Sequence, residues 1–256
     1  MGTNKVNSII KSCKDCFIAQ LVNSTCSTLT DDDQRLLWAH SDLVQVKAGK
    51  SIDGHIGGVP AIVSVCAGSV GVRYGLSDGR QAISTLYSPG DIIDLRDLPA
   101  DTHSKVIALT DAFLCLHDSE AFETLVRRNQ SLSAIHYRNI RKQLRRSEAR
   151  CLDLARKTPV ERVATFLMDR SGQETRPPDR PVTLHTFEKR ADIADYLGLQ
   201  PETLSRVLAR LQFEGFIKLV GRQIIVLQDP AGLAKIAQGG RPRLGHGPRQ
   251  DRGALA

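Results

Sequence analysis

The stretch Leu197-Gly198-Leu199-Gln200-Pro201-Glu202-Thr203-Leu204-Ser205-Arg206 decides how this chain is read. Gly198 can take a positive φ, and Pro201 suits the first turn of a helix. Ile193, Leu197, Leu199, Leu204 and Leu208 make one internal apolar face, and Ala194 is small where two helices would cross closely. The spacing predicts helices over Lys189–Leu197 and Pro201–Glu214 around the Gly198-Leu199-Gln200 turn, which is a helix-turn-helix. The second helix carries Glu202, Thr203, Ser205, Arg206 and Arg210 on its outward face. Such a helix, here Pro201–Leu211, enters the major groove with its N-terminal residues at base edges. Arg206 has two donors for guanine, Glu202 accepts from a cytosine amino group, and Ser205 reaches a base or a phosphate. Gly215–Val220 and Gln223–Leu227 read as a hairpin across Gly221-Arg222, a wing that sets Lys218 and Arg222 near phosphate.

Working outward, Val182–Phe187 alternates as a strand, and Ser171–Pro181 is a loop rich in Pro and Arg. Thr158-Pro159 opens a helix over Val160–Asp169. Before it, a continuous helix is predicted from about Ser119 to Arg156. Within it Tyr137, Ile140, Leu144, Ser147, Cys151 and Leu154 recur at spacings of three and four, the seam of a coiled-coil dimer. An amphipathic helix packed on its own domain is the alternative. Arg138, Arg141, Lys142, Arg145, Arg146 and Arg150 surround the seam. Ser147 and Cys151 bury little apolar area, and Arg145 and Arg146 add like-charge repulsion, so the expected homodimer is marginal.

From Leu43 to Leu116 short β-branched runs alternate with Gly, Pro and Asp turns. Ala61–Cys66, Val70–Tyr74, Ile83–Tyr87, Ser104–Leu109 and Ala112–Leu116 are strand candidates for an antiparallel barrel or jelly roll. Thr30 caps a helix that begins with Asp31-Asp32-Asp33, and the residues before it read as irregular. The tail from Gly239 is rich in Gly, Pro and Arg and reads as disordered.

The 256 residues suit two domains, and a net charge of +7 suits an anionic partner such as nucleic acid. No apolar run has membrane-spanning length and the first residues lack a signal-peptide pattern, so a cytoplasmic protein without membrane contact is expected. Six cysteines in a reducing compartment then read as buried hydrophobes or metal ligands. His40, His55, His103, His117 and His136 are scattered, and no catalytic triad, phosphate loop or paired carboxylates stand out, so no enzyme is expected.

These motifs resemble the CRP/FNR family of bacterial regulators from about Cys13 to Ala237. Glu202-x-x-Ser205-Arg206 is similar to the recognition helix of the FNR-like branch, in which the Glu and Arg read TTGAT-like half-sites of an inverted repeat. The Gly90-Asp91 turn resembles one in the family's sensory barrel, and the helix before Thr158 resembles its dimer helix. The resemblance implies an α+β chain with a cyclic-nucleotide-binding-like barrel, a long dimerisation helix and a C-terminal winged helix-turn-helix. It implies double-stranded DNA and RNA polymerase as partners. The expected divisions are a cysteine-bearing segment at 1–29, the barrel at 30–118, the dimer helix at 119–157, the DNA-binding domain at 158–238 and the tail at 239–256.

Cyclic-nucleotide members of the family hold phosphate with Phe-Gly-Glu and a following Arg. Here the segment is Pro89-Gly90-Asp91-Ile92-Ile93-Asp94-Leu95-Arg96, where Asp91 and Asp94 would repel a phosphate, so no cyclic nucleotide is expected. The FNR-like branch holds an oxygen-labile iron–sulfur cluster through C-x2-C-x5-C and a fourth barrel cysteine. Cys13, Cys16 and Cys115 match three of these places. The third place is Val22, and the next thiol, Cys26, follows Cys16 after nine residues. The resemblance therefore implies a [4Fe–4S] cluster on Cys13, Cys16, Cys26 and Cys115. Structural zinc, or a metal-free regulator that answers nitric oxide or a small molecule, are the alternatives. Cys66 and Cys151 read as buried hydrophobes.

Overall fold

The β-branched runs fold into two antiparallel sheets that share one aliphatic layer. A computed structural model describes residues 3–5, 26–52, 54–56, 59–98, 104–172, 182–185, 189–221 and 224–240. The chain divides into two units, Met1–Arg150 and Cys151–Ala256.

In the first unit the strands are β1 (Thr3–Lys5), β2 (Ser41–Val46), β3 (His55–Ile56), β4 (Val59–Pro60) and β5 (Ile62–Ala67). They continue with β6 (Val70–Gly75), β7 (Gln81–Tyr87), β8 (Ile92–Asp94), β9 (Ser104–Ala108) and β10 (Ala112–His117). One sheet has the order β1-β2-β10-β5-β8, a second has β7-β6-β9, and β3 and β4 form a hairpin. Val44, Val46, Val63, Val65, Leu114 and Leu116 from the first sheet meet Val70, Val72, Val106 and Ala108 from the second. Both sheets thus bury alternate side chains on one core, the expected jelly-roll arrangement.

Helix α1 (Asp31–Ala39) starts as its sequence demands: Thr30 accepts from the Asp33 N–H at 3.2 Å, ahead of three acidic residues. Two expectations for the N-terminal part are corrected. Residues 3–5 are not irregular, because β1 pairs with β2 in the register Thr3↔Val46. Cys26–Thr28 forms a 3-10 turn with Cys26 buried.

The expected single helix over 119–156 is two, α2 (Ser119–Arg128) and α3 (Gln130–Arg156). Asn129 between them is extended at φ −112°, and its side-chain oxygen accepts from the Leu132 N–H at 3.0 Å. Its amide donates to Asp33 at 3.1 Å, and Arg128 donates to the same carboxylate at 2.6 Å. An Asn that caps the following helix competes with continuation of the preceding one.

A further correction concerns charge on α3. Arg146, expected to repel along the seam, turns onto the barrel with Lys142 and Arg150. Lys142 Nζ lies 3.1 Å and Arg146 Nη1 2.8 Å from the Asp91 carboxylate, and Arg150 Nη2 donates to the Ile83 carbonyl at 2.7 Å. Asp91 is only 1% exposed, so its charge is matched inside the protein rather than turned towards a ligand.

His117, at the end of β10, is a polar exception in this unit's interior. Ser41 Oγ lies 2.7 Å from Nδ1, Ser64 Oγ lies 2.9 Å from Nε2, and Phe122 stacks on the ring. Burial pushes the imidazole down to about 4 from its ordinary 6.5. The unfolded chain therefore takes up this proton near pH 6.5, whereas the folded chain resists it until about pH 4. The stabilisation is complete above 6.5 and falls as pH drops towards 4, by roughly 3 kcal/mol in all. Thermal melts at about pH 7 and about pH 5 should show this loss, and His117→Asn should flatten the slope. An equal slope in the variant would assign it to other groups.

Candidate nucleic-acid interface and thiol cluster

The second unit starts from a capped helix. In α4 (Pro159–Ser171) Thr158 accepts from the Glu161 N–H while Glu161 accepts from the Thr158 N–H at 2.8 Å. The strand β11 (Val182–His185) follows, then α5 (Arg190–Leu197) and α6 (Pro201–Phe213). Gly198 ends α5 in the left-handed region at φ 61°, ψ 42°. A Cβ there would lie 3.1 Å from Leu154 Cδ2, so the turn needs glycine for conformation and for space.

Sequence reasoning missed Arg162 of α4. Its guanidinium donates to the carbonyls of Leu197 at 3.1 Å, Gly198 at 3.3 Å and Lys157 at 3.0 Å. A cation on the last carbonyls of α5 complements the helix dipole and ties the turn to α4. No periodicity or spacing marks this residue, because its partners are backbone carbonyls, two of them about 35 residues further along the chain.

On α6, Leu204, Val207, Leu208 and Leu211 are buried. Glu202, Ser205, Arg206 and Arg210 are exposed and Thr203 is half-buried. Ser205 Oγ donates to the Pro201 carbonyl at 2.9 Å, Arg206 reaches Thr203 Oγ1 at 3.4 Å, and Arg210 pairs with Glu214 at 2.8 Å. Phe213 is 92% exposed at the end of the helix, which its sequence context did not reveal. The wing consists of β12 (Ile217–Val220) and β13 (Ile224–Leu227), in a sheet of order β11-β13-β12. Lys218 is exposed on β12, and the Leu219 N–H donates to Gln212 of α6 at 2.8 Å, which joins wing to helix. Arg222 lies outside the described residues. A helix not anticipated from sequence, α7 (Pro230–Ala237), packs against α4.

The seam positions on α3 are exposed in the single chain: Tyr137 at 63%, Ile140 at 51%, Leu144 at 60% and Leu154 at 40%, with Ser147 and Cys151 also open. Cys151 is thus not a buried residue of the isolated chain. Leu152, not counted in the seam, is exposed as well.

Cys26, Cys66 and Cys115 meet in one buried cluster with Leu43, flanked by Trp38 and Phe113. Cys115 Sγ lies 3.8 Å from His117 Nδ1, and Cys66 Sγ 3.6 Å from the Ser64 carbonyl. The expected pair Cys26 and Cys115 is brought together, although Cys26 is interior rather than on an open loop. Cys66, expected as a buried hydrophobe, is buried and joins them. Cys13 and Cys16 lie outside the described residues. Among the described residues no three His, Cys, Asp or Glu side chains are arranged to hold a metal ion. Among them, too, no helix is long and apolar enough to cross a membrane.

Residues 161–236 match the Crp-like helix-turn-helix domain. The transcriptional activator protein Anr of Pseudomonas protegens is 28% identical over 236 residues, 89% of this chain and 93% of that protein. The nitrogen fixation regulation protein FixK of Azorhizobium caulinodans is 40% identical over 97 residues, 37% of this chain and 38% of that protein. The solved structure of FixK2 from Bradyrhizobium japonicum aligns with a TM-score of 0.66 at 28% identity, over 77% of this chain and 96% of that one. Together these likenesses give the second unit a Crp-like helix-turn-helix domain and make the chain similar along most of its length to the transcriptional activator Anr.

Proposed function

We propose that this protein is a dimeric transcription regulator of the cytoplasm that reads a TTGAT-like inverted repeat. The observation that carries the reading is the outward face of α6. Glu202, Ser205 and Arg206 stand exposed on a helix whose other face is buried and whose entry turn is pinned by Gly198 and Arg162. A rigid scaffold that presents an open guanidinium and a carboxylate one turn apart suits direct readout of guanine and cytosine. Arg210 and Thr203 flank that pair, and Lys218 and Arg222 supply sequence-independent contacts to phosphate.

Arg206→Ala should cost roughly 1–3 kcal/mol per half-site and relax the choice at the guanine. Lys218→Ala should weaken binding to all sequences alike and lower the salt slope. Gel-shift titrations at fixed salt on palindromic and scrambled duplexes check both. An Arg206→Ala protein with parental affinity and parental preference removes the readout assignment.

The exposed apolar stripe on α3 supports pairing through Tyr137, Ile140, Leu144, Ser147, Cys151 and Leu154. Leu144→Asp should then raise the dimer dissociation constant by at least about tenfold, read by sedimentation, because two carboxylates would face each other across the seam. An unchanged constant rejects the seam.

For sensing, Cys13, Cys16, Cys26 and Cys115 are the residues that would hold a [4Fe–4S] cluster, a group that supplies an oxygen-labile centre when bound. The burial of Cys26 beside Cys115 supports this set, since soft thiolates suit such a group. Protein purified without oxygen should contain iron and sulfide. Cys26→Ser or Cys115→Ser should remove both, whereas Cys66→Ser and Cys151→Ser should retain them. Zinc in place of iron would make the site structural. Colourless, metal-free protein with full affinity for the palindrome would leave a regulator that answers another signal.

A further inference from the structure

The face of α3 turned to the barrel is held by polar groups rather than by apolar packing along residues 142–150. Lys142 and Arg146 lie one helical turn apart, and both reach the Asp91 carboxylate, at 3.1 and 2.8 Å. Gln143 donates to the Ile92 carbonyl at 2.8 Å and Arg150 to that of Ile83 at 2.7 Å. Of these barrel partners only Asp91 carries a charge and is reached through its side chain, which is 1% exposed.

The carboxylate is also fixed by its own turn. The Ser88 N–H donates to Asp91 Oδ2 at 2.9 Å, and the Asp91 N–H donates back to the Ser88 carbonyl at 2.9 Å. Gly90 between them has φ 88°. A buried anion must find its cations, and loss of either side leaves an uncompensated charge. Each residue of an α-helix is set about 100° round from the last. A rotation of α3 by one residue would therefore carry Lys142 and Arg146 away from Asp91 together. The seam residues lie on a separate face of the same helix.

We infer that Asp91 is the positioning residue that sets the rotation of α3 on the barrel, and so the direction in which the apolar stripe faces. The turn Ser88–Asp91 and the pairing surface form one mechanical unit: a shift of the turn moves the carboxylate, and the helix follows its cations. This rests on the reading of that stripe as the dimer surface.

The test uses the full chain. Asp91→Asn keeps size and hydrogen bonding but removes the charge. It should raise amide exchange over residues 139–150 by at least about tenfold at concentrations where monomer prevails, and raise the dimer dissociation constant by a similar factor. The double variant Lys142→Gln with Arg146→Gln removes the partners from the solvent side, and serves where Asp91→Asn does not fold. A merely structural role would lower the melting temperature without singling out these amides. Parental exchange over 139–150 in either folded variant overturns the proposal, as does altered exchange with an unaltered dimer constant. Leu144→Asp separates the two ideas. If it leaves assembly unchanged, the pairing reading falls, and the exchange result still decides whether Asp91 sets the helix.

Discussion

Burial of one valine-rich layer between two antiparallel sheets sets the rest of the first unit. Each strand alternates sides, so the layer decides what the other face must do. In β5, Val63 and Val65 enter that layer, while Ile62 points to a second cluster with Ile92, Leu37, Phe122, Leu125 and Leu132. In β8 the same division puts Ile93 in one core and Ile92 in the other. The helices α1, α2 and the start of α3 are therefore anchored by residues whose direction was fixed on the far side of the sheet. At roughly 25 cal/mol per Å² of apolar surface buried, two cores sharing one sheet stabilise both layers at once. Beyond Ile135 the barrel side of α3 changes character, and polar clamps replace the apolar contact.

The helix-turn-helix was legible because its constraints are local. Gly198, Pro201 and the apolar spacing on both sides lie within about four helical turns, and the observed helices end within a residue or so of the expected limits. The five strand candidates were legible for a similar reason, each a β-branched run closed by a turn. β1, β2, β3, β4 and β8 were not picked out, and of these β1, β3 and β4 are only two or three residues long. The run of β8 is only three residues long, too short for a period of two to show. The break at Asn129 was hidden because the helical pattern continues on both sides of it, and only the hydrogen bonds to Leu132 and Asp33 reveal the restart.

The long-range partners were not legible. Lys142 and Arg146 look like a solvated charged face until Asp91, about fifty residues earlier in sequence, is brought beside them. The thiols tell the same story. Cys115 lies opposite Ser64 and Leu43 in the strand register, and that register places it beside Cys66 and Cys26. Sequence marked Cys115 and Cys26 by resemblance, yet nothing in their spacing put Cys66 with them. Arg162 belongs to the same class: a lone cation on a helix, whose partners are carbonyls, leaves no side-chain signature at all.

The bond from Ser205 Oγ to the Pro201 carbonyl has a consequence for what α6 can recognise. A serine hydroxyl has one hydrogen to give and two lone pairs. With the hydrogen committed inside the helix, Ser205 faces the outside as an acceptor alone. Phosphate oxygens, guanine O6 and N7 and thymine O4 are acceptors too, and so are poor company for it. Adenine N6 and cytosine N4 are the groups in the major groove that can donate. The exposed face of α6 therefore carries Glu202 and Ser205 as two acceptors beside Arg206 as a donor, the polarity pattern that the proposed base readout would use.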